Sequence, residues 1–116
     1  MSFEASCHCG AVTATVEAEI PAKGLRCNCS HCSIKGLILG AVPGETLTID
    51  RGEDQLRTYH FNRASIDHRF CSNCGVQPFS QGKGPDGRPM AMINLRCVPG
   101  VDVDSLEIVE FDGASL

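Results

Sequence analysis

Between Ala11 and Ile20 the chain alternates without a break, with Val12, Ala14, Val16, Ala18 and Ile20 on one side and Thr13, Thr15, Glu17 and Glu19 on the other. Successive side chains of an extended backbone point to opposite faces, so this pattern predicts a half-buried strand. Pro21 and Gly24 end it and turn the chain. The run Leu37-Ile38-Leu39-Gly40-Ala41-Val42, bounded by Gly36 and Pro43-Gly44, has the length of a strand and predicts a buried one. Turn punctuation and β-rich composition place further short strands over Thr46 to Ile49, Leu56 to Phe61, Asp67 to Phe70, Met90 to Leu95 and Leu106 to Phe111, the last at an edge. The segment from Gln81 to Pro89 holds three Gly and two Pro in nine residues and predicts an exposed loop. No window shows sustained helical periodicity; at most one turn of helix fits Ser30 to Lys35, with Ser30 as N-cap. The expected class is mainly β with little helix.

Length and charge narrow the picture. A chain of 116 residues is expected to form one domain over residues 1–116, of a size that buries roughly two thirds of its unfolded surface. The net charge is −4 and the ten Lys and Arg are scattered, which argues against a nucleic-acid partner, since phosphate binding needs clustered cations. No apolar run approaches the roughly 20 residues that span a bilayer. Met1 to Ser6 has neither a basic start nor an apolar core, so no signal peptide is expected and the reading is a soluble, cytoplasmic protein. In a reducing compartment, eight cysteines are better read as metal ligands or redox groups than as four disulfides.

Seven of those cysteines fall into three clusters: Cys7-His8-Cys9-Gly10, Cys27-Asn28-Cys29-Ser30-His31-Cys32 and Phe70-Cys71-Ser72-Asn73-Cys74-Gly75. Zinc prefers four ligands in a tetrahedron, and two cysteines on one tight turn supply half of them. Cys71 and Cys74 form such a half-site, with Gly75 suited to a backbone of positive φ. Cys7 and Cys9 are the natural complement, able to share a face if the backbone is extended. Cys7, Cys9, Cys71 and Cys74 are therefore expected to hold a structural zinc. Closing a loop of more than 60 residues in this way stabilises by about 4 kcal/mol on a chain-entropy argument. Cys27, Cys29 and Cys32 are left as three ligands with one position over, the pattern of a catalytic zinc that binds water or substrate. Cys97, His31 or a ligand from another subunit could equally fill that position. Two zinc ions per chain are expected; iron is the other metal that four-thiolate sites accept.

The remaining polar candidates carry less. His8 and His31 lie between ligand cysteines, where a side chain usually faces away from the metal. His60 and His68 sit on expected strands and read as surface residues, and Asp50, Arg51 and Glu53 as a polar turn. Arg57, Arg63 and Arg69 could bind a substrate carboxylate bidentately. Cys97 reads as a small apolar residue.

The three clusters in this order, with Cys7 to Val12 at one end, Phe70 to Val76 at the other, and a late Ile93-Asn94-Leu95-Arg96-Cys97 followed by Gly100-Val101-Asp102, resemble the glutathione-dependent formaldehyde-activating enzyme family, which also contains centromere protein V. The resemblance covers nearly the whole chain. It implies a β-tent of short antiparallel sheets stapled by zinc, the outer two pairs on a structural ion and the central triplet on a catalytic one. It also implies a carbon–sulfur lyase activity in which glutathione adds to formaldehyde to give S-hydroxymethylglutathione. Two other readings compete: a non-catalytic, zinc-stapled protein-binding module, and a redox enzyme with Cys97 as nucleophile. The second arrangement is loosely similar to the B-type methionine sulfoxide reductases, which however use two C-x-x-C pairs.

Overall fold

A computed structural model describes residues 1–60 and 66–115. It shows a mainly β protein with one short helix. The strands are β1 (Phe3–Ser6), β2 (Thr13–Val16), β3 (Lys23–Cys27), β4 (Leu39–Pro43), β5 (Leu47–Arg51), β6 (Leu56–Tyr59), β7 (Asp67–Cys71), β8 (Phe79–Lys83), β9 (Pro89–Asn94) and β10 (Glu107–Phe111), with α1 (Ser30–Lys35) between β3 and β4. They form a three-stranded sheet in the order β1-β2-β5 and a seven-stranded sheet in the order β10-β3-β4-β9-β8-β7-β6. All pairings are antiparallel except β10 with β3, which is parallel.

The alternation around Val12 has the consequence it should. Val12, Ala14 and Val16 are fully buried and share one core with Phe79 and Ile93 of the larger sheet and with Leu95 just after it. The strand is shorter than the pattern: it stops at Val16, the chain bends, and Ile20 lies exposed. A hydrogen bond from the Glu17 N–H to the Thr46 carbonyl marks where the ladder ends, and a bulge between Thr13 and Ala14, where β2 meets β5, distorts its other end. The apolar run before Pro43 is buried as expected, with Leu37, Ile38, Leu39 and Val42 inside. The expected edge strand is β10, at one end of the larger sheet. The expected strand from Leu56 is found through Tyr59; Phe61 lies outside the described residues.

Three local expectations need correction. Gly24 is not a turn but lies within β3, where a Cβ would sit 2.6 Å from Ile38 Cγ2; glycine here lets β3 approach the segment before β4. The glycine- and proline-rich stretch is mostly a hairpin, pairing Gln81 with Ala91, Gly82 with Met90 and Lys83 with Pro89. Its turn is confined to Gly84–Arg88, closed by Gly87 N–H to Gly84 O and Gly84 N–H to Arg88 O, both 2.9 Å. Pro89 is tolerated because it opens its strand. Finally, Asp50 and Arg51 belong to β5 and not to a turn.

Phe79 is the largest side chain among the fully buried ones and sits where β8 meets β9. Phe79→Ala is expected to cost about 3–5 kcal/mol through lost burial and the cavity left behind. Urea unfolding of the two proteins measures it, as a lower midpoint at an unchanged slope.

Candidate metal centre and adjoining groove

The first and third cysteine clusters are built as matching turns. In one, the Cys7 N–H reaches the Val12 carbonyl at 3.1 Å and the Gly10 N–H returns to the Cys7 carbonyl at 3.3 Å. In the other, the Cys71 N–H reaches Val76 at 3.0 Å and the Gly75 N–H returns to Cys71 at 2.8 Å. Gly10 and Gly75 have φ of 81° and 82°, a conformation that a side chain would strain. The Cys7–Cys9 pair is thus on a turn and not on the extended backbone expected for it. Each turn also directs an N–H at sulfur: Val12 to Cys7 Sγ at 3.3 Å and Asn73 to Cys71 Sγ at 3.4 Å.

The two turns face each other. The sulfurs of Cys7, Cys9, Cys71 and Cys74 all lie within 4.8 Å of one another, Cys7 to Cys9 at 3.7 Å and Cys9 to Cys71 at 3.8 Å. Zinc–thiolate bonds of about 2.3 Å place tetrahedral sulfurs about 3.8 Å apart, so the spacing fits a zinc-sized ion. Their acidities diverge. Burial pushes Cys7 up to about 11. Burial opposes ionisation of Cys74 as well, but the N–H groups of Val76 and Cys9 and the thiols of Cys7 and Cys71 outweigh it and bring Cys74 down to about 6. Four thiolates at this spacing repel one another, and a cation is what lets them ionise together.

Cys27, Cys29 and Cys32 form a second group, again with all sulfurs within 4.8 Å. Cys27 ends β3, and Cys29 and Cys32 belong to the first turn of α1. The helix has the expected bounds, but its N-cap is Cys29 and not Ser30: the Cys29 sulfur accepts the Cys32 N–H at 3.3 Å. The Cys29 N–H in turn points at Cys27 Sγ at 3.5 Å. Burial works against ionisation of Cys29, yet the N–H groups of Cys32 and His31 and the thiols of Cys32 and Cys27 bring it below its ordinary value. Cys32 is pushed far up, by burial first and then by the two neighbouring thiols. Among the described residues, no His, Asp, Glu or further Cys joins this group.

Cys97 stands elsewhere. Its Sγ lies 3.8 Å from the Gln77 carbonyl, and it is partly buried against the main core. Burial, with Cys7 and Cys74 nearby, pushes its thiol up to about 11, which disfavours a reactive thiolate. His31 does not join the triplet either: it is buried, with its ring centroid 4.0 Å from that of His68 and 5.6 Å from Tyr59. Burial, then His68 and Lys35, lower His31 to about 4, so it is neutral near pH 7. His68 is therefore not the surface residue expected of it, because β7 turns it inward against α1. His8 is exposed, and His60 is exposed beside Asp67 at 2.6 Å.

Two features beside the triplet carried no signal in the cysteine spacing. The first is the chain after β10. Asn28 donates to Asp112 Oδ1 at 2.9 Å, its own Oδ1 accepts the Ala114 N–H at 2.9 Å, and its N–H meets the Phe111 carbonyl at 3.1 Å. This strap passes so close that a Cβ on Gly113 would collide with Cys27 Sγ. The second is a groove of about 390 Å³ lined by Cys27 and Cys32, the end of α1, Arg26, Glu110 and Arg96. The arginines expected to meet a carboxylate do not line it. Arg57 donates to the backbone of Asp54 and Leu56, Arg69 to Gln81 at 2.7 Å, and Arg63 lies outside the described residues. No helix among the described residues is long and apolar enough to cross a membrane.

A mainly β chain with one closed four-cysteine cluster and one three-cysteine cluster on a groove defines a protein with two candidate metal centres. The chain belongs to the glutathione-dependent formaldehyde-activating enzyme family, whose model matches residues 2–102. It is also similar to a crystal structure of a Rhodobacter sphaeroides protein, with a TM-score of 0.78 and 27% identity over 91% of this chain and 99% of that one. The strap and β10 lie beyond the matched stretch.

Gly113→Ala is expected to displace Cys27 or lift the strap. Cobalt titration should then show binding at the triplet weakened by about tenfold or more, with the four-cysteine cluster still filled at wild-type affinity.

Proposed function

We propose that the chain is a zinc-dependent enzyme of the carbon–sulfur lyase type that acts on a thiol, with glutathione and formaldehyde as the pair and S-hydroxymethylglutathione as the product. One observation carries the reading: the triplet offers three sulfurs, receives no fourth donor among the described residues, and borders a groove of a size suited to a small molecule. Membership of the family supports it. In this reading Cys7, Cys9, Cys71 and Cys74 hold a structural zinc, and Cys27, Cys29 and Cys32 hold a catalytic one.

A zinc at the triplet would supply Lewis acidity, lowering a thiol's pKa or polarising a carbonyl. The protein's part is positional. The Cys32 N–H fixes the Cys29 sulfur, the Cys29 N–H fixes that of Cys27, and the strap at Gly113 covers the Cys27 side. Approach is left to the groove beside Cys27 and Cys32. The thiol proton leaves to solvent or buffer, since His31 is buried and, lowered to about 4, too weak a base to take it. Carbon–sulfur bond formation then needs only the thiolate held close to the aldehyde carbon, with a proton returned to the new hydroxyl oxygen.

The test is Cys29→Ser. Serine is itself a good N-cap, so α1 keeps its first turn while the triplet loses a ligand. The expected variant unfolds cooperatively and retains one metal, but no longer accelerates glutathione–hydroxymethyl exchange, followed by NMR, above the buffer rate. A wild-type protein that gives no acceleration, or a Cys29→Ser protein without a cooperative transition, would sink the proposal; the latter would make the triplet a staple.

A further inference from the structure

We propose that Arg96 is the specificity residue of the groove, anchoring a carboxylate of the thiol substrate while the thiol occupies the triplet; this rests on the reading just given. The groove has two cations on its wall, Arg26 and Arg96. Arg26 is spoken for. It stands opposite Glu110 in the β3–β10 register and donates to that carboxylate from Nε at 2.8 Å and also from Nη2, so the pair is neutral as a unit. Arg96 has no carboxylate partner among the described residues. It uses one N–H, Nε to the Gly36 carbonyl at 3.1 Å, and keeps the two terminal nitrogens that bind a carboxylate side by side.

That single bond is well placed. Gly36 is the left-handed C-cap of α1, with φ of 68° and its N–H returned to Cys32 and Ser33. The guanidinium is thus tethered to the helix whose first turn carries Cys29 and Cys32. At its other side, Arg96 follows Leu95, which is fully buried, and its N–H is held by Asn94 Oδ1 at 3.1 Å. A fixed backbone and a tethered head reduce the ordering entropy that a ligand must supply.

Charge makes the residue necessary. Three thiolates around a divalent cation leave one net negative charge, and a substrate thiolate adds another. A second anionic group on that substrate would be repelled, and Arg96 is the uncompensated positive charge on the groove wall that offsets it. The groove therefore selects small thiols bearing a carboxylate over neutral thiols of similar size. Glutathione is one such thiol.

The experiment is a cobalt-loaded full chain titrated with 3-mercaptopropionate and with 2-mercaptoethanol, reading the visible bands. The quantity compared is the ratio of the two dissociation constants in each protein, so that differences intrinsic to the thiols cancel. Arg96→Gln is expected to reduce the preference for the carboxylate by about tenfold while leaving 2-mercaptoethanol unchanged, as loss of a charge-assisted bidentate contact implies. Arg96→Lys should restore part of it, and Arg57→Gln, outside the groove, none of the loss. In the wild-type protein the preference should also shrink with rising salt, a readout that does not depend on the variant folding. An unchanged ratio in Arg96→Gln, or a salt-independent preference, overturns the assignment of Arg96 and leaves the thiol reading intact. If neither thiol perturbs the wild-type spectrum, the thiol reading falls and takes this inference with it.

Discussion

The convergence of four sulfurs from two distant turns is the constraint on which the rest of this architecture hangs. Cys7 and Cys9 follow β1 of the three-stranded sheet, while Cys71 ends β7 of the seven-stranded one and Cys74 lies in the turn after it. Holding them within 4.8 Å fixes how the two sheets meet, at a place where Cys7 and Cys71 are also members of the hydrophobic core. The N–H groups of Val12 and Asn73 are committed to sulfur, so the turns are already shaped for thiolates. A cation there relieves mutual repulsion and supplies a cross-link over more than 60 residues at once.

The convergence was legible in the sequence because short spacing, not distant contact, encodes it. A C-x-x-C turn followed by glycine constrains its own geometry, and Val12, Ala14 and Val16 alternate because one face of β2 is buried. What was not legible depended on partners. The strands Phe3–Ser6, Lys23–Cys27 and Phe79–Lys83 are four or five residues long, and two of them contain glycine, so no local period announces them. They are strands because a neighbour supplies the hydrogen bonds. The burial of His68 is hidden for the same reason: packing against His31 of α1 removes it from water.

The candidate site divides along the same line. The three sulfurs of the triplet were evident, since two of them lie within the first turn of a helix and the third lies two residues earlier. The strap and the groove were not, because both bring together residues 60 or more positions apart. Asn28 meets Asp112 and Ala114, and Gly36 meets Arg96. Arginine composition pointed to Arg57, Arg63 and Arg69, but a side chain's usefulness depends on what is already bonded to it. Arg57 and Arg69 have partners of their own, whereas among the described residues the Arg96 side chain is held through Nε.

The two cysteine clusters differ by one ligand, and the difference follows from their scaffolds. Two facing turns contribute two sulfurs each and close a tetrahedron. A strand end followed by a helix start contributes three on one side, and the geometry of α1 then carries the chain away, so Ser33 and Gly36 line a groove there and no fourth donor stands among the described residues. Cys97 could have completed the set only by lying near α1, but its 3-10 turn places it beside Gln77 and the four-cysteine cluster. The protein thus keeps its spare cysteine where burial and neighbouring thiols hold it protonated. A fourth thiolate at the triplet would have raised the local charge and closed the groove. With three sulfurs and no fourth donor among the described residues, the triplet is the cluster at which, in the proposed reading, a soft anionic ligand from outside would gain most.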